Sequence, residues 1–109
     1  DVNQAGAHGK GISAMKLSTK GRYAMVALAD IALQPPGGLV SLGDIAERQS
    51  ISLPYLEQLF VKLRRAELVA SVRGPGGGYR LARPAANIRV VDILGAVDEK
   101  VDAAAARNH

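Results

Sequence analysis

The stretch Ser52-Leu53-Pro54-Tyr55-Leu56-Glu57-Gln58-Leu59-Phe60-Val61-Lys62-Leu63-Arg64-Arg65 runs into Leu68-Val69-Ala70-Ser71-Val72-Arg73, and the change of period between the two decides the fold. In the first part Leu56, Leu59, Phe60 and Leu63 recur at i, i+3, i+4 and i+7, the stripe of a helix with one buried face. Ser52 is placed to cap it, and Pro54 falls in the first turn, where a missing N–H is tolerated. At 3.6 residues per turn, Pro54, Gln58, Val61 and Arg65 lie on the opposite side, flanked by Tyr55 and Lys62. In the second part Leu68, Ala70 and Val72 alternate with Val69, Ser71 and Arg73, which predicts a strand with the first three on its apolar face. Gly74-Pro75-Gly76-Gly77-Gly78 is a turn, Tyr79-Arg80-Leu81 is the returning strand, and Arg83-Pro84 closes the hairpin.

Upstream, Ser41 starts a short helix with Asp44 at capping-box spacing and an apolar face of Leu42, Ile45 and Ala46. Helix, tight connection and amphipathic second helix make a helix-turn-helix candidate spanning about 41–66, with a wing over about 68–83. Further upstream, Ser18 or Thr19 caps a helix running to about Leu33, with Asp30 the only polar residue after Tyr23. A helix so apolar is expected to pack on more than one side. Pro35, Pro36, Gly37 and Gly38 end it. Downstream, Val90–Val97 predicts a last helix burying Ile88, Val91, Leu94 and Val97. The class expected is mainly α with a small β-hairpin, a winged helix-turn-helix.

With 109 residues, 48% of them hydrophobic, the chain suits one folded domain. Lys and Arg number 14 against 10 Asp and Glu, for a net charge of +4. Six of those cations (Lys62, Arg64, Arg65, Arg73, Arg80, Arg83) lie between Lys62 and Arg83 with Glu67 as the one acid, so a single segment carries most of the positive field. The chain contains no cysteine, which excludes disulfides and thiolate metal sites from these residues. No run is long enough for a membrane span. Residues 1–14 lack an apolar core and read as a cloning remnant or flexible tail rather than a secretory signal. The domain is expected over 15–99, a residual linker over 100–109, and the cytoplasm as location.

The glycine-rich hairpin tip, Gly76 included, lets a backbone approach a partner closely because no Cβ intervenes. Arg73 and Arg80 flank it, and an arginine on so narrow a tip can enter a narrow, strongly negative minor groove. The tip lacks the Lys-Ser/Thr ending of a nucleotide-binding loop and does not precede a helix.

Three segments together resemble the IscR-type (IscR/NsrR) family of bacterial winged-helix transcription regulators: Met15-Lys16-Leu17-Ser18-Thr19-Lys20-Gly21-Arg22-Tyr23-Ala24, Ile51 to Phe60, and Val72 to Tyr79. The resemblance holds order and spacing from Met15 to about Glu99. It implies a dimeric regulator that binds double-stranded promoter DNA. It also implies that Glu57 and Gln58 face bases in the major groove and that Arg73 enters the minor groove. Pro54 departs from the small hydroxyl residue often found at its place. The family's three-cysteine cluster loop would follow Asp102, where Ala103-Ala104-Ala105-Ala106 stands instead. No ordinary iron–sulfur cluster can form on these residues, and the long dimerisation helix that follows the loop is absent too. Either the chain has been trimmed or altered, or it belongs to a branch that senses otherwise.

Each of these residues also has a plainer reading. Glu57 and Gln58 are base contacts or a solvated face. Tyr55 contacts DNA or packs against the turn. Lys62, Arg64 and Arg65 meet phosphates or solvent, and Lys20 and Arg22 clamp the DNA backbone or simply cover the surface. His8 and His109 are incidental, and Asp30 is a paired structural acid. Two other functions compete with DNA binding. A winged helix can serve as a protein–protein interaction module, against which the arginine-flanked wing argues. An enzyme would need paired carboxylates in a cleft, a Ser/His/Asp set or metal-ligand spacing, and none is present.

Overall fold

The computed structural model describes residues 17–98. Helix α1 spans Thr19–Ala32, α2 Leu42–Gln49 and α3 Leu53–Arg65; strands β1 Val69–Val72 and β2 Gly78–Leu81 follow, then a 3-10 turn at Ala85–Asn87 and helix α4 over Val90–Val97. The expected tail over 1–14 and linker over 100–109 lie outside the described residues, as do Met15, Lys16 and Glu99. The architecture is a winged helix-turn-helix. Helices α1, α3 and α4 pack together, α2 sits against α1 and α3, and the hairpin closes on α3 and α1.

Three helices begin as their sequences predict. Ser18, Ser41 and Ser52 are in extended conformation, and their hydroxyls accept from the backbone N–H of Gly21, Asp44 and Tyr55. Each satisfies one of the donors that a helix start leaves unpaired. The Ser18 hydroxyl also donates to both carboxylate oxygens of Asp98, at 3.0 and 2.9 Å, tying the start of α1 to the end of α4. Helix α3 ends in a Schellman arrangement. Leu68 N–H donates to Leu63 O at 3.0 Å, and Glu67 N–H to Arg64 O at 2.9 Å. This needs a left-handed residue, and Glu67 supplies it at φ 63°.

The core joins Ala24, Leu28 and Ile31 of α1 to Ile45, to Leu56, Leu59, Phe60 and Leu63 of α3, and to Val69, Ile93 and Val97. The α3 stripe is buried as its spacing requires. Two apolar faces differ from expectation. On β1 the buried side is that of Val69, and Val72 is exposed. The antiparallel register explains this: Val69 pairs with Leu81 and Ser71 with Tyr79, so the inward face carries Leu81 and Tyr79, while Ala70 and Val72 share the outer face with Arg80. Leu68 is buried as well, because it belongs to the helix-ending motif and not to the strand alternation. On α4, Ile93 is buried with Leu94 and Val97, while Val91 is half exposed. Ile88 precedes the helix in extended conformation (φ −106°), so a helical period counted from it is out of phase.

Asp30 is the one buried polar residue among those described, 3% exposed. Arg48 donates to it through Nε at 3.0 Å and through a terminal guanidinium nitrogen at 2.7 Å, and Gln49 Nε2 donates at 2.9 Å. The Arg48 hydrogen bond, more than the opposing burial, holds the Asp30 carboxyl below its ordinary 3.8. The ionised form therefore adds stability at pH values above the unfolded carboxyl's range. That contribution is lost as pH falls through 3.8 towards the lower folded value. Asp30→Asn is expected to cost about 1–3 kcal/mol at neutral pH. It should also flatten the loss of stability below about pH 4, measured by urea unfolding at pH 7 and pH 3. A variant that keeps the full acid sensitivity of the parent would place that sensitivity elsewhere. Glu67→Gly should gain up to about 1 kcal/mol by relieving the left-handed backbone, read as a higher melting temperature.

Candidate nucleic-acid interface

With its apolar stripe committed to the core, α3 presents its other side outward. Pro54, Glu57, Gln58, Val61, Arg64 and Arg65 are exposed, and Tyr55 and Lys62 are half-buried. The Ser52 cap and the second-position Pro54 fix the backbone of the first turn, so Glu57 and Gln58 stand on a rigid support.

The wing is held to this helix. Tyr79 of β2 meets the buried Phe60 ring edge-on, centroids 4.9 Å apart and planes at 70°. Tyr79 also exchanges both backbone hydrogen bonds with Val40, at 2.9 and 2.7 Å. The approach is so close that a Cβ on Gly78 would lie 2.8 Å from the Val40 carbonyl oxygen. Beyond this anchor the hairpin projects. Arg73, Gly74, Pro75 and Gly76 are exposed, with Gly76 in the left-handed region at φ 74°. The tip closes through a hydrogen bond from Gly77 N–H to Gly74 O at 2.8 Å. Arg80 is exposed opposite Ala70 on the outer face of the hairpin.

The predicted residues do not all form one cluster. Tyr55, at the start of α3, lies against Tyr23 of α1, rings 5.4 Å apart at 85°, and Lys20 and Arg22 are exposed on the same helix as Tyr23. At the other end of α3, Lys62 and Arg65 line a groove of about 440 Å³ with Arg83, Val91 and Asp92 of the α4 side. Arg83 was not among the candidate site residues, although it closes the basic stretch counted from the sequence; it follows β2, and the fold sets it in one groove with Lys62 and Arg65. Tyr23 was likewise not singled out. Tyr23, Tyr55, Phe60 and Tyr79 are the only Phe, Tyr or Trp residues, and the fold, not the sequence, sets each in one of two edge-to-face pairs that both end on α3.

The buried Asp30 is fully engaged with Arg48 and Gln49, which makes it a structural acid. Among the described residues no three His, Asp or Glu side chains converge as metal ligands. Nor is any described helix long and apolar enough to cross a membrane.

Similar sequences and folds occur in known regulators. Over 91 residues the chain is 70% identical to the HTH-type transcriptional regulator IscR of Cereibacter sphaeroides, covering 82% of this chain and 59% of that protein. It is 63% identical over 89 residues to IscR of Vibrio atlanticus, covering 82% and 51%. The chain thus spans between about half and three fifths of the length of these relatives. Among solved structures, CymR, the global cysteine regulator of B. subtilis, superposes with a TM-score of 0.72 at 41% identity, over 76% of this chain and 64% of that one. IscR of T. potens does so with 0.69 at 45% identity, over 85% and 75%. Residues 17–109 match the profile of the iron-dependent transcriptional regulators called Rrf2, and the chain belongs to this Rrf2 family.

Proposed function

We propose that this chain is the DNA-reading part of a transcription regulator and that it is not an enzyme. Helix α3 enters the major groove of double-stranded promoter DNA, and the hairpin reaches the adjacent minor groove. Glu57 and Gln58 read base edges, and Tyr55 and Pro54 shape the contact at the first turn. Arg73 inserts beside Gly76 into the minor groove, where a narrow, negative groove favours an arginine. Lys20, Arg22, Lys62, Arg65 and Arg80 neutralise phosphates and set the register. The observation that supports this best is the Phe60–Tyr79 contact at 4.9 Å: it holds an arginine-bearing tip at a constant offset from an exposed polar helix face. A duplex demands such an offset between neighbouring grooves. In the whole protein two copies would bind half-sites about one helical turn apart, as a cytoplasmic homodimer.

An iron–sulfur cluster of the usual kind does not fit these residues. Its irons require thiolate or equivalent ligands, and the 109 residues supply no cysteine. Sensing in the whole protein is therefore either carried outside this stretch or based on another chemistry.

Affinity for DNA should fall steeply as salt rises from about 50 to 200 mM, because phosphate neutralisation releases counterions. No salt-dependent shift of any duplex would favour the protein-contact reading instead. On a duplex selected from a random pool, Arg73→Ala should weaken binding more than Lys20→Ala. Equal losses from the two variants on selected and random duplexes alike would remove the minor-groove role. Gln58→Ala should relax preference at one or two positions per half-site, by about 1–3 kcal/mol at each. If every base change weakens parent and variant alike, Gln58 reads no base.

A further inference from the structure

We propose that Tyr23 of α1 is a positioning residue for DNA reading: its ring sets the orientation of Tyr55 at the first turn of the recognition helix. The inference rests on the reading of α3 as the DNA-contacting helix.

Tyr23 is 40% exposed and lies outside the core, yet its ring meets Tyr55 edge to face at 5.4 Å and 85°. Burial alone does not explain such a pair. Tyr55 is partly buried against the core while Tyr23 stands outside it, and the perpendicular arrangement of the two rings is what ring quadrupoles favour. The contact therefore constrains geometry more than it adds to the core.

Its place on α3 matters. The backbone at Tyr55 is already fixed, since its N–H donates to the Ser52 hydroxyl at 3.2 Å and Pro54 precedes it. The free variables left are the two side-chain torsions, and the Tyr23 ring restricts them. Pro54, Glu57 and Gln58 around it are exposed. Tyr55 is thus held ready at the edge of the reading surface, with less freedom to lose on binding. The chain's other aromatic pair, Phe60–Tyr79, holds the middle of the same helix to the wing. The two pairs divide the work: the inner one places the helix, and the outer one aims a side chain at its tip. Tyr23 also follows Lys20 by one helical turn, so the same contact sets the basic start of α1 beside Tyr55.

The test measures binding by fluorescence anisotropy on a duplex enriched from a random pool by the parent protein, with a random-sequence duplex as control. Tyr23→Phe keeps the ring and should bind within about twofold of the parent. Tyr23→Leu should weaken the selected duplex about three- to tenfold and leave the random duplex unchanged. In a Tyr55→Leu background the same change should cause no further loss. The Tyr55 ring-proton resonances should shift in Tyr23→Leu and stay in place in Tyr23→Phe. Equal losses from the Phe and Leu variants would mean that the Tyr23 hydroxyl meets DNA itself, which overturns the positioning role. Losses that add fully in the double variant overturn it too. So does an equal loss on both duplexes with a lowered melting temperature, the mark of a purely structural residue. If the parent enriches no sequence from the pool, the DNA reading itself fails, and this inference falls with it.

Discussion

Phe60 is where the helical core and the hairpin become one body. Its ring is fully buried on α3 and receives Tyr79 of β2 edge-on. A two-stranded hairpin is marginal by itself in water. This one persists because Tyr79 is held twice, by a ring in the core and by paired backbone hydrogen bonds to Val40, which sits between α1 and α2. A side chain on Gly78 would push that backbone contact apart. The mechanical relation between helix and wing thus rests on this aromatic contact and on the site where only hydrogen fits, together with Val69 and Leu81 packed on the core.

The second constraint is electrostatic and sits on the far side of the core. Asp30 faces inward from α1 with its carboxylate shared between Arg48 and Gln49 at the end of α2. Arg48 remains 44% exposed, so only one of the two charges is fully removed from water. This limits the desolvation penalty that makes wholly buried ion pairs poor stabilisers. The pair fixes where α2 ends relative to α1, and hence the position from which the Ser50–Ser52 turn launches α3. Phe60 locates the middle of α3, and Asp30 locates its starting point.

Much of this was legible in the sequence, for physical reasons. Ser18, Ser41 and Ser52 announced helix starts because a hydroxyl before an apolar period has one favoured use. Leu56, Leu59, Phe60 and Leu63 marked the buried face because a helix of that spacing has nowhere else to put it. The glycines after Arg73 marked the hairpin tip. What failed was phase at short elements. On β1 the apolar residues Ala70 and Val72 suggested one face, but cross-strand Tyr79 and Leu81 placed the other inward. On α4 the count began at Ile88, a residue still in extended backbone. For the site, exposure of Glu57 and Gln58 followed from helix geometry, whereas the group of Lys62, Arg65 and Arg83 and the pairing of Tyr23 with Tyr55 depend on contacts between elements far apart in sequence. No local pattern encodes those.

The hydrogen bonds from Ser18 to Asp98 place the two ends of the folded unit in contact, 80 positions apart along the chain. Both connections to whatever flanks residues 17–98 therefore leave from one corner. The unit is in effect a closed loop that can be spliced into another polypeptide, or reopened elsewhere, at little expense to its interior, as domains with adjacent termini generally allow.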